Sequence, residues 1–249
     1  MTNYTIKKIK LGLKAFTKIN NWWDFFLDYL KLKKGYIIYK IGDKKIKTRA
    51  RTIDKAIITE VVLEELYFPK LLKLPDNAIV IDVGAHIGSF SVLIHNKMKN
   101  GQVYAIEPSK QNYELLLDQI GINDLKIKSF KIALSDKKGK MKLYEGNHSA
   151  RGSLFREEGK NFEIIETQTM KNFFEENKIE KCDLMKMDIE GGEYSVLYST
   201  PKEIFDKIDK IFLEVHEIDG QNKLDLIEFL NKQGFKIEIK DKSFIYAVK

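Results

Sequence analysis

Short apolar runs alternate with longer amphipathic segments from about residue 78 onward. The short runs are rich in β-branched residues, as buried strands are, and the longer segments repeat apolar positions at helical spacing. Strands separated by helices predict a doubly wound α/β sheet that is mostly parallel, with an antiparallel hairpin at one edge. The predicted strands are AIVIDV, QVYAIEP, IKSFKIALS, FEIIETQ, CDLMKMDIE, KIFLEVHE and the hairpin FKIEIKD–SFIYAVK; the predicted helices are GSFSVLIHNKM, KQNYELLLDQI, TMKNFFEEN and NKLDLIEFLNKQ.

The segment FTKINNWWDFFLDYLKLKK has aromatic and aliphatic residues at helical spacing between lysines. It predicts an accessory helix that packs Trp22, Phe26 and Leu30 on the main body of the protein. Basic flanks around aromatic residues also suit a membrane surface, so peripheral membrane contact through residues 10–34 is an alternative.

Two further elements complete the N-terminal part. YIIYKIGDKKIKTRA predicts a hairpin that turns at Gly42-Asp43. TIDKAIITEVVLEELY predicts a helix capped by Thr52 or Asp54. We therefore expect a small cap of helix, hairpin and helix over residues 1–75, followed by a ligand-binding domain over residues 76–249.

Composition limits the class of protein. The chain is 43% hydrophobic and 32% charged, which is typical of a globular protein, and its formal net charge of +7 comes from lysines spread along the chain. Such lysines usually cover a solvated surface, so nucleic acid is not expected as a partner. The single cysteine, Cys182, precludes an intramolecular disulfide and is expected to be a core thiol. No signal peptide and no apolar run of roughly 18 residues is found, so we expect a cytoplasmic protein.

The stretch VIDVGAHIGSFS places a glycine turn between a predicted strand and a predicted helix. Of the dinucleotide fingerprint G-x-G-x-x-G only Gly84 matches cleanly, since His86 and Ser89 occupy the other two glycine positions. Asp82 at the mouth of the turn would repel a pyrophosphate and attract a cation. Gly84, Gly88 and Asp82 therefore favour S-adenosylmethionine, which carries an ammonium group and a sulfonium but no phosphate.

The next two strands end in further candidate cofactor residues. Glu107 lies 19 residues beyond Gly88 and could accept hydrogen bonds from both ribose hydroxyls; the alternative is a solvent-facing glutamate before Pro108. Ser135 or Asp136 could reach the adenine amino group, although both residues also suit an ordinary turn.

Five motifs occur in order: VIDVGAHIGSFS, YAIEPS, ALSDKKG, LMKMDIEGGE and IFLEVH. Together they resemble the FkbM-type S-adenosylmethionine-dependent methyltransferases, a class I Rossmann-like family, over roughly residues 52 to 240. The resemblance implies methyl transfer to a hydroxyl oxygen of a sugar, a polyketide or a related metabolite, and makes residues 76–249 the methyltransferase domain. The family often has asparagine where this chain has His86, which should alter a contact of the turn without changing the cofactor.

The acceptor side is predicted at the ends of two later strands. Alternate residues of a strand share a face, so Asp188 and Glu190 should point together, as should Glu214 and His216. If the strands are neighbours, these groups converge beside the cofactor, where Asp188 is also a candidate contact. An unperturbed imidazole titrates near neutrality, so His216 is the first candidate for the general base, Asp188 the second, and Glu190 a candidate anchor for the acceptor hydroxyl.

Other interpretations of these residues stay open. Glu193 could simply open the following helix, and Lys186 could pair with a neighbouring carboxylate. An Asp/Glu/His cluster could also hold a divalent metal, which we do not expect. His148 and Arg151 lie in an irregular stretch, KLYEGNHSARGSLF, that is either a substrate lid or a plain loop.

The expected function is therefore methylation of a small-molecule or glycan acceptor, with the oligomeric state open. An NAD-dependent reductase or epimerase is an alternative that explains Glu107 but not Asp82 or the missing glycines. A nucleic-acid methyltransferase is another, although no Asn-Pro-Pro-Tyr-like motif or concentrated lysine tract accompanies it.

Overall fold

The computed structural model describes residues 3–69, 72–144, 162–216, 218, 220–240 and 243–249, with the backbone alone described for residues 3–8, 239 and 240. Its helices are α1 (Asn3–Lys18), α2 (Trp22–Tyr29), α3 (Asp54–Ile58), α4 (Ser89–His95), α5 (Lys110–Ile122), α6 (Met170–Glu176), α7 (Glu193–Ser199), α8 (Lys202–Phe205) and α9 (Lys223–Lys232). The strands are β1 (Tyr36–Ile41), β2 (Lys44–Arg49), β3 (Ile79–Val83), β4 (Gln102–Ile106), β5 (Ile127–Phe130), β6 (Ala133–Leu134), β7 (Gly139–Tyr144), β8 (Phe162–Gln168), β9 (Leu184–Met187), β10 (Lys210–Glu214), β11 (Lys236–Lys240) and β12 (Phe244–Val248).

Seven strands form the central sheet in the order β11-β12-β10-β9-β3-β4-β5. The pairs from β10 through β5 are parallel, and β12 runs antiparallel to both β10 and β11. The neighbouring strands β3 and β9 are largely buried and, apart from Asp82 and Lys186, apolar, as is typical of parallel strands covered by helices. The predicted fold class, a doubly wound class I methyltransferase-like sheet with a hairpin at one edge, is confirmed.

This order brings the predicted site residues to one edge of the sheet. β3 lies between β4 and β9, and β9 pairs with β10. The carboxyl ends of these four parallel strands therefore meet, which is where doubly wound sheets bind ligands.

A second, three-stranded sheet of order β6-β8-β7 corrects two predictions. The predicted strand IKSFKIALS divides, because β5 stays in the central sheet while β6 pairs with β8. Residues 139–144, expected to be partly irregular, form β7 and pair antiparallel with β8. The predicted lid residues His148 and Arg151 lie outside the described residues.

The N-terminal part contains two helices where one was predicted. α1 ends at Lys18 and α2 begins at Trp22. Trp22 is partly buried and packs on the main body of the protein, as expected. Phe26 and Leu30 are exposed instead, because α2 turns Phe25 inward. The inward-facing ring of Phe25 contacts the ring of Tyr39.

The hairpin β1–β2 turns at Gly42-Asp43 as predicted, and α3 continues into a π-helical turn, Thr59–Leu63. The Glu64 N–H donates to the Thr59 carbonyl at 2.8 Å, five residues earlier. Of the two predicted caps, the Thr52 hydroxyl accepts from the Asp54 N–H at 3.2 Å, whereas Asp54 itself is buried in an ion pair with Arg49.

One apolar cluster joins the N-terminal elements to the central sheet region. Ala15, Ile19 and Phe25 pack in the same cluster as Ile87 and Leu115. Whether residues 1–75 form a unit of their own stays a prediction. Cys182 is buried, and burial raises the pKa of its thiol, as expected of a structural cysteine. Within the described residues no helix is long and apolar enough to cross a membrane.

Candidate active site

The glycine turn after β3 requires its glycines. Gly84 has φ +77°, and a Cβ there would lie 1.8 Å from the Asp188 carbonyl oxygen. Gly88, with φ +83°, precedes α4, and a Cβ there would lie 2.5 Å from Leu116 Cδ1. The N–H groups of Gly84 and Ala85 donate to the Ile106 carbonyl at 3.0 and 2.9 Å, which fixes the turn against β4. Bare backbone is thereby presented at the edge of the sheet.

Contrary to the prediction, Asp82 does not face a cavity at the mouth of the turn. Its side chain is fully buried, accepts a hydrogen bond from Ser91 Oγ at 2.6 Å, and lies 3.4 Å from Lys186 Nζ. Burial raises the pKa of Asp82, against the opposing effect of Lys186. Lys186 also donates to the Gly84 carbonyl at 2.8 Å, so the Asp82–Lys186 pair stabilises the turn. The expectation that Lys186 pairs with a carboxylate holds.

Glu107 is buried beside the turn. Glu107 is only 6% exposed, so the alternative of a solvent-facing glutamate is wrong. Oε2 accepts from the His86 N–H at 2.9 Å, and Oε1 accepts from the Ser109 N–H at 3.0 Å. Burial raises the pKa of Glu107 to about 7 in spite of these bonds. Oε1 also accepts from Asn112 Nδ2 at 3.4 Å, so Oε2 is the oxygen that keeps a second lone pair for a ligand hydroxyl.

His86 lines the cavity with unsatisfied ring nitrogens. Its backbone is left-handed, with φ 51°, and neither Nδ1 nor Nε2 has a hydrogen-bond partner among the described residues. The nearest carboxylate, Asp54 Oδ1, is 3.9 Å from Nε2. Burial lowers the pKa of His86 to about 4, so the ring is neutral near pH 7. A buried imidazole in this state offers one donor and one acceptor to a polar ligand.

Ser135 and Asp136 lie beyond β6 and are tied to their own turn. The Ser135 hydroxyl donates to Asp136 Oδ1 at 2.9 Å, and its N–H donates to the Gln168 carbonyl at 2.9 Å. Ser135 is buried while Asp136 is exposed. A role of either residue at the adenine stays a prediction.

His216 is surrounded by carboxylates. Nδ1 is 2.9 Å from Glu193 Oε1, and Nε2 is 3.5 Å from Glu190 Oε2 and 3.9 Å from Asp188 Oδ1. Burial opposes a charge on the ring, but the hydrogen bond with Glu193 and the three negative charges outweigh it and raise the pKa of His216 to about 9. His216 is therefore protonated near pH 7, and its expected role as the first-choice base is disfavoured.

The residues after β9 reach His216 through a turn. The strand ends at Met187, and Glu190 has a left-handed φ of 53°, so the turn rather than strand alternation orients its side chain. Burial, together with the neighbouring carboxylates and against the pull of His216, raises the pKa of Glu190 to about 7. Glu193 opens α7 as anticipated and accepts from the Ile189 N–H at 3.0 Å.

Tyr67 and Glu60 are site residues that sequence reasoning missed. The Tyr67 hydroxyl lies 3.0 Å from Asp188 Oδ2 and 2.6 Å from Glu214 Oε2. Burial, then Glu214 and Asp188, raise the pKa of Glu60 to about 7. Both residues come from the segment around the π-helical turn, where the pattern showed only a helix with an apolar face.

Some of these residues line one cavity. The turn residues Gly84 and His86 and the carboxylate-bearing Asp188 line one side. Val61 and Tyr67, from the N-terminal part, line the other side. The cavity therefore joins the predicted cofactor turn to the predicted acceptor carboxylates.

A sequence profile described as the methyltransferase FkbM domain matches residues 82–237, which is more than half of the chain. The chain belongs to the FkbM methyltransferase family. It is accordingly an S-adenosylmethionine-dependent methyltransferase, and the alternative of an NAD-dependent reductase or epimerase is overturned.

Two relatives show how far this FkbM-family methyltransferase has diverged. It is 25% identical over 224 residues to methyltransferase sdnD of Sordaria araneosa, covering 77% of this chain and 84% of the relative. It is 25% identical over 209 residues to the 31-O-demethyl-FK506 methyltransferase FkbM of Streptomyces tacrolimicus, covering 72% and 80%. Among solved structures, M. jannaschii TYW2 in complex with AdoMet aligns with a TM-score of 0.45 at 16% identity, covering 87% of this chain and 84% of that one.

The turn of this FkbM-family enzyme fits its cofactor. The bare backbone at Gly84, the spare lone pair of Glu107 Oε2 and the unsatisfied ring of His86 form a polar cradle for a nucleoside with an amino-acid tail. Asp188, Glu193 and His216 each offer one ligand atom within 4.8 Å of the others, as a divalent cation would need. The expectation that no metal binds there stays a prediction.

Proposed function

We propose that this FkbM-family enzyme transfers a methyl group to a hydroxyl oxygen of a small molecule, a sugar or a glycan. The proposal rests on the position of Asp188, which lines the same cavity as the Gly84–His86 turn. A hydroxyl oxygen gives up its proton when it is methylated, so a carboxylate beside the cofactor turn suits this acceptor. The Streptomyces tacrolimicus relative is named for methylation at an oxygen, which supports the same class.

S-adenosylmethionine supplies, when bound, an electrophilic methyl group on a sulfonium. The chain would hold it through the backbone of the Gly84 turn and the carboxylate of Glu107, with the His86 ring as a further polar contact. Much of the acceleration then comes from fixing the acceptor oxygen in line with the methyl group.

The carboxylate of Asp188 is our candidate for the proton acceptor. It lies 3.7 Å from Lys186 Nζ and within hydrogen-bond distance of the Tyr67 hydroxyl. A base so placed contributes about 10²- to 10⁴-fold to such a reaction. Glu190, with a pKa of about 7, is placed to anchor the acceptor hydroxyl or to share the proton.

Tyr67 connects Asp188 to a second carboxylate. One phenol has a single proton to donate, yet it lies within hydrogen-bond distance of both Asp188 and Glu214. Both contacts can be hydrogen bonds only when one carboxyl group is protonated. Burial and Asp188 raise the pKa of Glu214, so Glu214 is the group that would hold this proton.

His216 acts in this scheme as a positioning residue. Its protonated ring can donate from Nδ1 to Glu193 and carries positive charge beside Glu190 and Asp188. That charge lowers the pKa of Glu190, against the burial that raises it to about 7. A cytoplasmic location also remains our prediction, from the sequence.

The experiment that tests the function follows the methyl group itself. Wild-type enzyme is incubated with S-adenosylmethionine carrying a ¹³C-methyl group and a panel of alcohols, sugars, glycans and RNA, and products are found by mass spectrometry. NMR then identifies the atom that carries the label. We expect a methyl ether on a small molecule or glycan. Label on nitrogen or carbon, or in RNA, would overturn the proposal.

A further inference from the structure

The positive charge of the chain is concentrated at its N-terminal helices. Residues 1–34 contain eight lysines and two aspartates, whereas the rest contains thirty-five basic and thirty-four acidic residues. Lysines are present throughout, but outside residues 1–34 acidic residues balance them almost completely. Nearly all of the net charge of +7 therefore belongs to α1, α2 and their flanks.

α1 has two apolar stripes on opposite sides. Ala15 and Ile19 point inward and are buried in the cluster that α1 shares with the sheet region. Ile9, Leu13 and Phe16 follow helical spacing on the other side and are exposed, Leu13 at 62% and Phe16 at 60%. One apolar stripe is what a helix needs to pack on its own protein, so the outer stripe is additional.

α2 continues the exposed apolar surface. Trp23, Phe26 and Leu30 lie at helical spacing and are exposed, Trp23 at 60%. Trp22 connects them to α1, since its ring centroid is 5.4 Å from that of Phe16 and 3.9 Å from that of Trp23. We call the exposed side chains of both helices the outer surface; its members are Ile9, Leu13, Phe16, Trp23, Phe26 and Leu30.

Exposed lysines lie along the same helices. Lys10 and Lys14 lie on α1 beside its outer stripe, and Lys31 and Lys34 follow α2. An aromatic and aliphatic surface bordered by lysines suits the boundary between anionic headgroups and acyl chains. A second copy of this chain would bring the same positive charge against itself, which disfavours a self-association of this face.

We propose that the outer surface docks this enzyme on an anionic lipid membrane. The inner side of the same helices packs with Ile58, Val62 and Leu63, next to Val61, which lines the cavity. Docking would therefore place the N-terminal wall of the cavity beside the bilayer. The proposal does not depend on the identity of the acceptor.

The test is vesicle co-sedimentation with the full chain. The vesicles are phosphatidylcholine alone and phosphatidylcholine mixed with phosphatidylglycerol, at low and at high salt. We expect wild type to bind the anionic vesicles and to release from them at high salt. Leu13→Glu/Trp23→Glu should weaken partitioning on the order of a hundredfold, and Lys10→Glu/Lys14→Glu on the order of tenfold.

Matched controls are Leu224→Glu, an exposed leucine on α9, and Lys126→Glu/Lys140→Glu, both exposed lysines. Both should bind like wild type, and each variant should keep its melting temperature. The proposal would be overturned if these controls reduced vesicle binding as much as the outer-surface variants do. So would failure of wild type to bind anionic vesicles, or a wild-type dimer in ultracentrifugation that Leu13→Glu/Trp23→Glu converts to monomer.

Discussion

The protonation state of His216 decides which group can take a proton from an acceptor hydroxyl. Burial disfavours its charge, but Glu193 and its neighbours raise the pKa of His216 to about 9, whereas Glu190 has a pKa of about 7. Activity should rise as Glu190 ionises near pH 7 beside the acceptor, and it should fall as His216 loses its proton near about 9. In His216→Gln we expect a lower kcat/KM, no alkaline fall, and a rise at higher pH, because the positive charge that lowers the pKa of Glu190 is gone. A variant profile without the rise would make His216 the base.

Glu107 gives a test of cofactor binding that needs no acceptor. Glu107→Ala removes both carboxylate oxygens, so we expect the affinity for S-adenosylhomocysteine in calorimetry to fall about a hundredfold. Glu114→Ala, at an exposed position of α5, is the matched control and should bind like wild type. Unchanged affinity of Glu107→Ala would remove Glu107 from the cofactor site.

Residue types at strand ends were enough to predict that Asp188, Glu190 and His216 lie together, because parallel neighbours end at one edge of a sheet. The ionisation of His216 was not predictable in this way. It depends on a 2.9 Å contact with Glu193, which the sequence assigned only to the start of a helix. A carboxylate partner for Lys186 was anticipated, but its identity as Asp82 was not, since this pair joins β3 to β9 across the sheet.

At the scale of elements, the N-terminal part contributes directly to the site. Arg49 of β2 donates to Asn112 Oδ1 at 2.8 Å, and Asn112 Nδ2 lies 3.4 Å from Glu107 Oε1. The π-helical turn brings Glu60 and Tyr67 to the carboxylate cluster. The expectation that cofactor and catalytic groups fall only after residue 78 therefore misses part of the site.

Tyr67→Phe tests that contribution. The variant keeps the ring, which contacts Phe90 and Phe212, but leaves Asp188 and Glu214 facing each other without the bridging hydroxyl. The hydrogen bond from Tyr67 lowers the pKa of Glu214, so without it Glu214 holds its proton more tightly; the pH profile should shift and kcat should fall about tenfold or more. The control is Tyr36→Phe on the exposed side of β1. A variant with the wild-type pH profile would make Tyr67 a packing residue.

The order of strands and helices followed from periodicity because each buried strand is short, apolar and bounded by turns. Several elements did not follow, among them β6 and the π-helical turn. The division between β5 and β6 depends on pairing with β8, a partner distant in sequence. The π-helical turn depends on one extra residue per turn, which leaves no mark in an apolar pattern.

At the scale of the whole molecule, buried titratable groups predict how stability changes with pH. Burial raises the pKa of Glu60, Glu107 and Glu190 to about 7, so the folded state binds more protons than the unfolded state between about pH 4.5 and 7. The raised pKa of His216, about 9, has the same effect between about pH 6.5 and 9.

Stability should therefore fall with rising pH across both ranges, by on the order of 3 kcal/mol for His216 alone. Melting temperatures of the free protein from about pH 5 to about pH 9 measure this. Glu60→Gln, which cannot ionise, should flatten the lower part of the curve. A melting temperature that rises through this range would contradict the proposed protonation states.

The central claim, that a carboxylate at the end of β9 takes the acceptor proton, is tested most directly at Asp188. Asp188→Asn keeps the size of the side chain and can still accept from Tyr67, and Asp118→Asn on the exposed side of α5 is its control. The measurement is the single-turnover rate at saturating acceptor, with affinity for S-adenosylhomocysteine measured in parallel. We expect the rate to fall about 10²- to 10⁴-fold with that affinity unchanged. A rate within a few-fold of wild type would contradict the claim.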